Sequence, residues 1–320
     1  MNEKEGYLQQ HLSHLNVIQD TELRALWIEL KHKQGRICMT PELLEELQTV
    51  RRLIQIKVQE EYEQNPPDRL LYQVLTSSDK RAFSLGSDLN YLIEKIEAGD
   101  RESILRYART FIDVQFSTIT HYDVPFTTIA LIQGEALGGG FEVALSSNVI
   151  VAEESAHFGF PEVAFGMGPG PSAIPLLTRK ITPAMARRMI GDRRVYTAVE
   201  LYDIGVVDVL AKDGQGREAV QSYMQRHSAI APGLHYIQAA FDCAKPITHE
   251  ELSVIAEHWV EATLQLSEKN RRLMSYYARA QEKRQVKSPL QEGWKTGCLL
   301  YTSPSPRDPL RYLVCRLLLE

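Results

Sequence analysis

Apolar residues along the chain occur in short runs and in stretches with helical spacing, which predicts strands that alternate with helices. The apolar runs predict five strands, at 23–31, 70–78, 127–133, 148–152 and 206–211. Between the first two runs, Thr40 and Pro41 precede apolar residues at helical spacing, and the Pro-containing stretch 65–68 follows them. This order is typical of an N-capped helix that ends at a proline break. Alternating strands and helices indicate an α/β fold with largely parallel pairing.

Further helices are predicted between the strands, at 91–120 and at 183–191. Thr197 and Glu200 have the spacing of a capping box at the start of a short helix. Gly205 is expected to end that helix before the last strand, since glycine favours the left-handed conformation of a helix C-terminus.

The strand pattern disappears beyond residue 217, and the region 217–297 is predicted to be helical. Thr248 and Glu251 form a second capping box. The residues after it that fall on one apolar helix face are Leu252, Ile255, Trp259, Ala262 and Leu266. We therefore divide the chain into an α/β core at 1–216 and a helical region at 217–297 that is expected to mediate self-association.

Composition and charge exclude several classes of protein. The 320 residues are 44% hydrophobic and 24% charged, as in an ordinary globular protein. A net charge of −5 without a Lys/Arg block argues against nucleic-acid binding. No apolar run approaches the roughly 18 residues of a membrane span, and the N-terminal residues lack the pattern of a signal peptide. Neither a nucleic-acid nor a membrane partner is expected.

The four cysteines, Cys38, Cys243, Cys298 and Cys315, have no metal-ligand spacing. We expect neither a metal site nor any cofactor, and a reduced, cytoplasmic location. Residues 298–320 change abruptly in character, and "CLLYTSPSPRD" resembles the in-frame translation of a transposase-type sequencing adapter. We predict that 298–320 is an unstructured adapter artefact and exclude it from the fold.

Three glycines, Gly138, Gly139 and Gly140, precede Phe141 and Glu142 at the predicted start of a helix. Glycine is unfavourable in a helix, so these positions call for a reason. Bare backbone would let a ligand oxygen reach the unpaired N–H groups of the helix N-terminus, as a phosphate or an oxyanion does. The spacing differs from that of the dinucleotide-binding fingerprint. The alternative is that the glycines only pack a strand against a helix.

Two glutamates follow this stretch, Glu142 in the helix and Glu162 twenty residues later. Their neighbours are apolar, namely Phe141, Val143, Phe158, Phe160, Val163 and Phe165. Two carboxyl groups in one apolar site push their pKa values apart, so that one serves as acid and the other as base. The alternative for each is a solvated or helix-capping residue.

Four segments together resemble the crotonase (enoyl-CoA hydratase/isomerase) superfamily, in its order and at its usual spacing. They are "AFSLGSDL" at 82–89, "QGEALGGGFEVALSSNVIVAEE" at 133–154, "FGFPEVAFGMGPGP" at 158–171 and "TAVELYDIGVVDVL" at 197–210. The branch that is most similar is that of the diffusible signal factor synthases, which make cis-2-unsaturated fatty acid signals. The Phe141-Glu142 pair, "WVEATLQLSEKNRRLM" from Trp259 and "ARAQ" from 278 carry that likeness. The resemblance covers roughly residues 15–286.

The resemblance implies an α/β crotonase-like ββα spiral with a helical C-terminal oligomerisation region. It implies an oxyanion hole formed by the N–H groups of Ser87 and Gly139, and an acid/base pair formed by Glu142 and Glu162. The substrate-binding residues that it implies are Gly86, Leu137, Gly138, Gly140 and Trp259. For Trp259 a role in the core or in a subunit contact remains equally open. The stretch 166–173 departs from the synthases, which leaves acyl-chain preference open.

The function expected from this resemblance is dehydration of a medium-chain 3-hydroxyacyl thioester, followed by hydrolysis that releases a cis-2-unsaturated quorum-sensing fatty acid. The partners it implies are an acyl carrier protein or CoA thioester, further copies of the chain in a trimer or hexamer, and the receiver domain of a sensor kinase. The alternatives are an enoyl-CoA hydratase/isomerase and a non-catalytic protein that binds acyl thioesters or a partner. Which glutamate is the acid, and whether the product is cis or trans, stay open.

Overall fold

The computed structural model describes residues 12–32, 36–66 and 69–286. The chain divides into two units, 1–285 and 286–320, and all described residues except Val286 belong to the first. The predicted adapter segment 298–320 lies outside the described residues.

The described part of the chain forms two sheets. In spatial order the larger sheet contains β1 (Leu15–Asp20), β2 (Ala25–Leu30), β3 (Tyr72–Ser77), β5 (Thr127–Ile132), β7 (Val149–Glu153) and β10 (Val209–Ala211). The smaller sheet contains β4 (Ala82–Ser84), β6 (Glu135–Leu137), β8 (His157–Gly159) and β9 (Tyr196–Thr197). β1 pairs antiparallel with β2, and β9 with β8, while the other neighbours are parallel.

Consecutive strands along the chain form pairs that contribute one strand to each sheet. In β3–β4, β5–β6 and β7–β8 the first strand joins the larger sheet and the second joins the smaller one. Each pair leads into helical structure, and the next pair adds alongside the last. The predicted α/β fold, a ββα spiral with parallel pairing, is confirmed.

Eleven helices follow these strands in the described residues. They are α1 (Pro41–Gln64), α2 (Leu89–Glu97), α3 (Arg101–Ile119), α4 (Gly139–Leu145), α5 (Ala173–Lys180), α6 (Pro183–Gly191), α7 (Ala198–Asp203), α8 (Gly216–His227), α9 (Ala231–Ala244), α10 (His249–Leu264) and α11 (Glu268–Val286). The Thr40 hydroxyl caps α1, and the predicted capping box of Thr197 and Glu200 is present at α7. The side chain of Thr248 caps α10.

The prediction of one helix over 91–120 is wrong. The segment forms α2 and α3, separated by Gly99 with a φ of +65°. Asp100 then accepts a hydrogen bond from the Ser103 N–H and so begins α3. β1 and the short strands of the smaller sheet are further differences from the predicted elements. The last strand of the larger sheet spans only 209–211 of the predicted 206–211.

Within the described residues the C-terminal region is helical up to Val286, as predicted. The predicted apolar face of α10 is wrong at two positions. Ile255 is half-buried and Ala262 is exposed. The buried positions are Leu252, Ala256, Trp259, Val260 and Thr263, on the side that packs against α3. This face therefore belongs to the interior of the chain and is not available to a second subunit.

Two functional features are absent from the described residues. None of their helices combines the length and the apolar composition needed to cross a bilayer. Within the same residues, no group of three or more His, Cys, Asp or Glu side chains could hold a metal ion.

Candidate active site

The glycine stretch forms the connection from β6 to α4. Gly138 has φ +50° and ψ −125°, a conformation that favours glycine. Its N–H donates to the Gly159 carbonyl over 2.8 Å, which ties the turn to β8. Gly139 is the first residue of α4, and the N–H groups of a first helical turn have no partner within the helix. The turn therefore presents backbone donors at the start of a buried helix.

The turn that follows β4 lies directly beside this helix start. Gly86 has φ +97°, and a Cβ added there would lie 3.0 Å from the Leu137 carbonyl oxygen and 3.5 Å from the Gly139 nitrogen. The Ser87 Oγ lies 3.4 Å from the position of a Cβ on Gly139. Gly86, Ser87, Leu137, Gly138 and Gly139 thus meet in one place. The arrangement is compatible with two N–H donors that converge on one carbonyl oxygen.

Glu142 projects from α4 into the interior and is 1% exposed. Its Oε2 accepts hydrogen bonds from the Ser172 Oγ at 2.7 Å and from the Ser172 N–H at 3.1 Å. Its Oε1 lies against Gly170, where an added Cβ would be 2.3 Å away. The carboxyl group is therefore held on both oxygens.

Glu162 lies in a short 3₁₀ turn, Pro161–Phe165, and is 6% exposed. A Cβ on Gly138 would lie 2.1 Å from its Oε1, so its carboxyl group lies directly against the glycine turn. Its Oε2 is buried without a hydrogen-bond partner among the described residues. A buried polar atom left open at such a site is available to a ligand.

Burial raises the pKa of both glutamates. Burial raises the pKa of Glu162 to about 8, and the charge of Glu142 adds to the rise. Burial also raises the pKa of Glu142, and hydrogen bonds from Ser172 and from the backbone of Gly170 and Ala173 oppose that effect. At neutral pH the proton that the site retains therefore resides mainly on Glu162, the group with fewer donors.

The raised pKa of Glu162 predicts that the fold loses stability as the pH rises. The group changes from its ordinary pKa of 4.5 in the unfolded chain to about 8 in the folded one. Its stabilising contribution is complete below about pH 4.5 and is lost as the pH rises through 8. We expect the free energy of unfolding, measured with urea between pH 5 and 9, to fall by a few kcal/mol more in the parent protein than in Glu162→Gln.

The exposed Glu154 provides the control for this measurement. Glu154→Gln removes a carboxyl group of the same size from the surface, and its pH profile should follow that of the parent. Parallel profiles for the parent protein and Glu162→Gln would contradict the raised pKa.

The other two predicted site residues have contacts that explain them differently. A Cβ on Gly140 would lie 2.5 Å from the Ser84 carbonyl oxygen, so Gly140 permits close packing of α4 on β4. Trp259 is 8% exposed, and its indole N–H donates to the Gly168 carbonyl over 3.1 Å. Trp259 thereby anchors the loop that leads from Glu162 to Gly170. Whether Trp259 also contacts an acyl chain stays a prediction.

α11 covers the donor turn, Leu85–Ser87, which follows β4. The Gln281 Nε2 donates to the carbonyls of Leu85 and Ser87 over 2.8 and 3.2 Å. Asn270, near the start of α11, lies against Gly166, where a Cβ would be 2.1 Å from its Nδ2. α11 therefore touches both the turn that holds Ser87 and the loop that follows Glu162.

Sequence reasoning missed Gln115, Gly170, Ser172 and Gln281 as parts of the site. For Gln115 a signal was present, because it occupies a buried position on α3 among apolar residues such as Ile112. A polar residue on an apolar helix face indicates a specific partner. The partners of the other three depend on contacts between distant segments, which the sequence pattern does not show.

A cleft of about 210 Å³ lies along residues 36–43, a segment that pairs with Ser87 through Met39. Its lining residues are His14, Lys31, His32, Arg36, Cys38, Thr40, Glu42 and Leu43. Arg36 forms an ion pair with Asp88, which follows Ser87 in sequence, is 2% exposed and caps α2. Lys31 and Arg36 thus supply positive charge to the cleft, and Arg36 connects it to Asp88.

Comparison with known proteins gives one family. A model of the enoyl-CoA hydratase/isomerase family matches residues 55–288. The 2,3-dehydroadipyl-CoA hydratase of Escherichia coli is 32% identical over 174 residues, which are 53% of this chain and 65% of the hydratase. The chain therefore spans less than two thirds of that relative.

Solved structures share the fold. Enoyl-CoA hydratase from Bacillus halodurans superposes with a TM-score of 0.68 at 22% identity, over 82% of this chain and all of that one. DspI from Pseudomonas aeruginosa superposes with a TM-score of 0.59 at 24% identity, over 73% of this chain and 82% of its own.

Proposed function

The chain belongs to the enoyl-CoA hydratase/isomerase family, and from that premise we propose that it dehydrates a 3-hydroxyacyl thioester and then hydrolyses the thioester. The product is a medium-chain cis-2-unsaturated fatty acid of the diffusible signal factor type, released from an acyl carrier protein. The observation that carries the catalytic part is the pair of buried carboxyl groups, Glu142 and Glu162, beside the helix start at Gly139.

The dehydration uses the two carboxyl groups in opposite protonation states. One carboxylate takes the proton from C2 of the substrate, and the resulting negative charge moves onto the thioester oxygen. The N–H groups of Ser87 and Gly139 stabilise that oxygen, and each such donor is worth roughly 10² to 10³ in rate. The second carboxyl group, protonated, donates its proton to the departing 3-hydroxyl group, which leaves as water. The retained proton on Glu162 matches this requirement for one protonated acid.

The hydrolysis uses the same donors. A water molecule loses a proton to a glutamate carboxylate and adds to the thioester carbon while Ser87 and Gly139 hold the oxygen. The carbon–sulfur bond then breaks, and the sulfur leaves with a proton as the free thiol of the carrier. The products are the free acid and the carrier, so the signal is released without a second active site.

The C-terminal helices support the signal-synthase branch over a general hydratase. The residues that carry the likeness to the synthases include Trp259, Asn270 and Gln281, and all three contact site segments. Two of these contacts fix the loop after Glu162, and the third fixes the turn at Ser87. These contacts support a role for the C-terminal helices in positioning the segments that hold the proposed reacting groups.

The cations that line the cleft support the proposal that the thioester substrate is attached to a phosphopantetheine arm. Lys31 and Arg36 line the cleft, and Asp88 joins Arg36 to the donor turn. A phosphopantetheine arm carries a phosphate at a distance from its thioester, and cations in a neighbouring cleft suit that phosphate. The arm is common to acyl carrier protein and CoA, so the cleft fits either carrier.

The second candidate is an enoyl-CoA hydratase, which the 2,3-dehydroadipyl-CoA hydratase relative favours. It would use the same two glutamates and the same donors, and would leave the thioester intact. A non-catalytic binding protein is the third alternative. Two carboxyl groups buried in one site argue against it, because their desolvation destabilises the fold without a gain in binding.

Product analysis separates these candidates. The protein, residues 1–297, is incubated with 3-hydroxydodecanoyl acyl carrier protein and, separately, with 2-dodecenoyl-CoA, and the products are identified by mass spectrometry and gas chromatography. We expect free cis-2-dodecenoic acid from the first reaction. Thioester products alone, CoA-linked and trans, would favour the hydratase, and no product from either substrate would contradict both enzymes.

Self-association is proposed through α9 rather than through α10. Among the described residues of α9, Tyr236, Ile237 and Phe241 are 76%, 50% and 65% exposed. An apolar helix surface of this kind is typical of a contact between subunits. We expect a trimer or hexamer in sedimentation at micromolar concentration and a smaller species for the Tyr236→Glu/Phe241→Glu variant. A monomeric parent protein would contradict this.

A further inference from the structure

Ser172 lies between two buried side chains that are distant in sequence. Its Oγ is 2.7 Å from the Glu142 Oε2 and 2.8 Å from the Gln115 Oε1. Gln115 projects from α3, and Glu142 from α4. All three side chains are at most 1% exposed. The three groups therefore form one buried chain of polar contacts that ends on a proposed catalytic carboxyl group.

The number of protons on each group determines which one donates in the contacts between Gln115, Ser172 and Glu142. A serine hydroxyl carries one proton, so it cannot donate to both a carboxylate and an amide oxygen. The Gln115 Nε2, with two protons, is at the same time buried without a partner among the described residues. Rotating the amide by 180° places its N–H group toward the Ser172 oxygen and removes the conflict. Gln115 then donates to Ser172, and Ser172 donates to Glu142.

We propose that Gln115 and Ser172 are positioning residues that hold the Glu142 carboxyl group as a hydrogen-bond acceptor, fixed in one orientation for the reaction. The role rests on the function proposed above, in which Glu142 exchanges a proton with the substrate. Gly170 restricts the other carboxyl oxygen, because the space between its Cα and that oxygen admits a hydrogen but no Cβ. The polar chain and the glycine together leave the carboxyl group one orientation.

The hydrogen-bond relay from Gln115 through Ser172 to Glu142 also separates the tasks of the two glutamates. Glu142 receives two donors from Ser172, whereas the Glu162 Oε2 receives none in the described part of the chain. Donors favour the ionised form of a carboxyl group. Gln115 and Ser172 thus direct the single proton of the pair toward Glu162.

The test compares Ser172→Ala with Ser147→Ala. Ser147 is buried at the end of α4, and its Oγ has no partner within the described chain, so its replacement removes an equal hydroxyl without touching a carboxyl group. For Ser172→Ala we expect the pH–rate limb of Glu142 to move upward by about one pH unit, since a hydrogen bond to a charged group is lost. We expect kcat to fall about tenfold with little change in KM, and Ser147→Ala to match the parent. An unchanged pH profile in Ser172→Ala would overturn the proposal.

Gln115→Met tests the hydrogen bond from Gln115 to Ser172. Methionine keeps the length and volume of the side chain but cannot donate, so the shift should have the same sign as in Ser172→Ala and be smaller. A Gln115→Met profile equal to that of the parent would remove Gln115 from the relay.

A readout that does not depend on turnover separates this proposal from the proposed function. The carboxyl carbons of the glutamates are labelled with ¹³C, and the Glu142 signal is identified as the one that is absent in Glu142→Gln. Its titration midpoint should be higher in Ser172→Ala than in the parent and in Ser147→Ala. A shifted midpoint in a protein that makes no product would support the relay and contradict the function; an unshifted midpoint in an active enzyme would do the opposite.

Discussion

Glu162→Gln should lose product formation by a factor of about 10² to 10⁴, the range that general acid–base catalysis contributes. The amide has the shape of the protonated carboxyl group and keeps the packing against Gly138, but it cannot transfer a proton. Glu142→Gln should lose activity to a similar extent, because the reaction needs both groups. Initial rates on the 3-hydroxyacyl carrier protein substrate measure the loss, and circular dichroism checks that the helices are retained.

The control for both variants is Glu154→Gln, which changes an exposed glutamate in the turn between β7 and β8. Its rate should equal that of the parent protein. A Glu162→Gln variant with the full parent rate would show that Glu162 is a structural residue and would end its assignment to the acid/base pair.

Gly138→Ala should abolish measurable activity and lower the free energy of unfolding by about 1–3 kcal/mol. The added methyl group would lie 2.1 Å from the Glu162 Oε1, in a residue with φ +50° and ψ −125°. Relief of this overlap must displace either the Glu162 carboxyl group or the start of α4. Each movement disturbs one half of the site, and the loss of a single oxyanion donor already costs about 10² to 10³ in rate.

Gly99→Ala is the control that separates the two causes of damage in Gly138→Ala, which are the overlap with Glu162 and the backbone strain. Gly99 has φ +65° and no atom within 4 Å of an added Cβ, so it loses stability through its backbone alone and should keep its activity. Glu162→Ala should also reduce the stability cost of Gly138→Ala, since the overlapping atom is gone. Urea unfolding of the parent protein, the two single variants and the double variant measures this coupling. Additive costs would show that the two residues do not touch.

The sequence predicted the centre of the site because its restraints are local. Gly138 and Glu142 are four residues apart, so the glycine turn and the buried carboxyl group can be recognised within one segment. The apolar neighbours of Glu162 predicted its burial correctly. The parallel α/β fold followed from apolar runs that are long enough to indicate strands, and the spiral arrangement was implied by the family resemblance. The three-residue strand β4 has too few positions to show a period.

The rest of the site depends on tertiary contacts that the sequence pattern does not contain. Ser172 lies 57 residues from Gln115 and 30 from Glu142, and its meaning appears only when α3, α4 and the loop before α5 meet. Ala262 was misplaced because helical spacing gives the direction of a face but not the width that a neighbour covers. The break at Gly99 was missed although Asp100 and Ser103 carried the signal of a new helix.

The contact of Gln281 with the donor turn has a consequence for the timing of synthesis. The amide of Gln281 reaches Leu85 across 196 residues of chain, which the ribosome adds in about 10 to 40 s at usual rates of synthesis. Once residue 162 has been added, the nascent chain contains both glutamates and the glycine turn, but the carbonyls of Leu85 and Ser87 still have no Gln281 to bond. A growing chain therefore carries both glutamates without their final alignment, and the candidate site is complete only after α11 has emerged and docked.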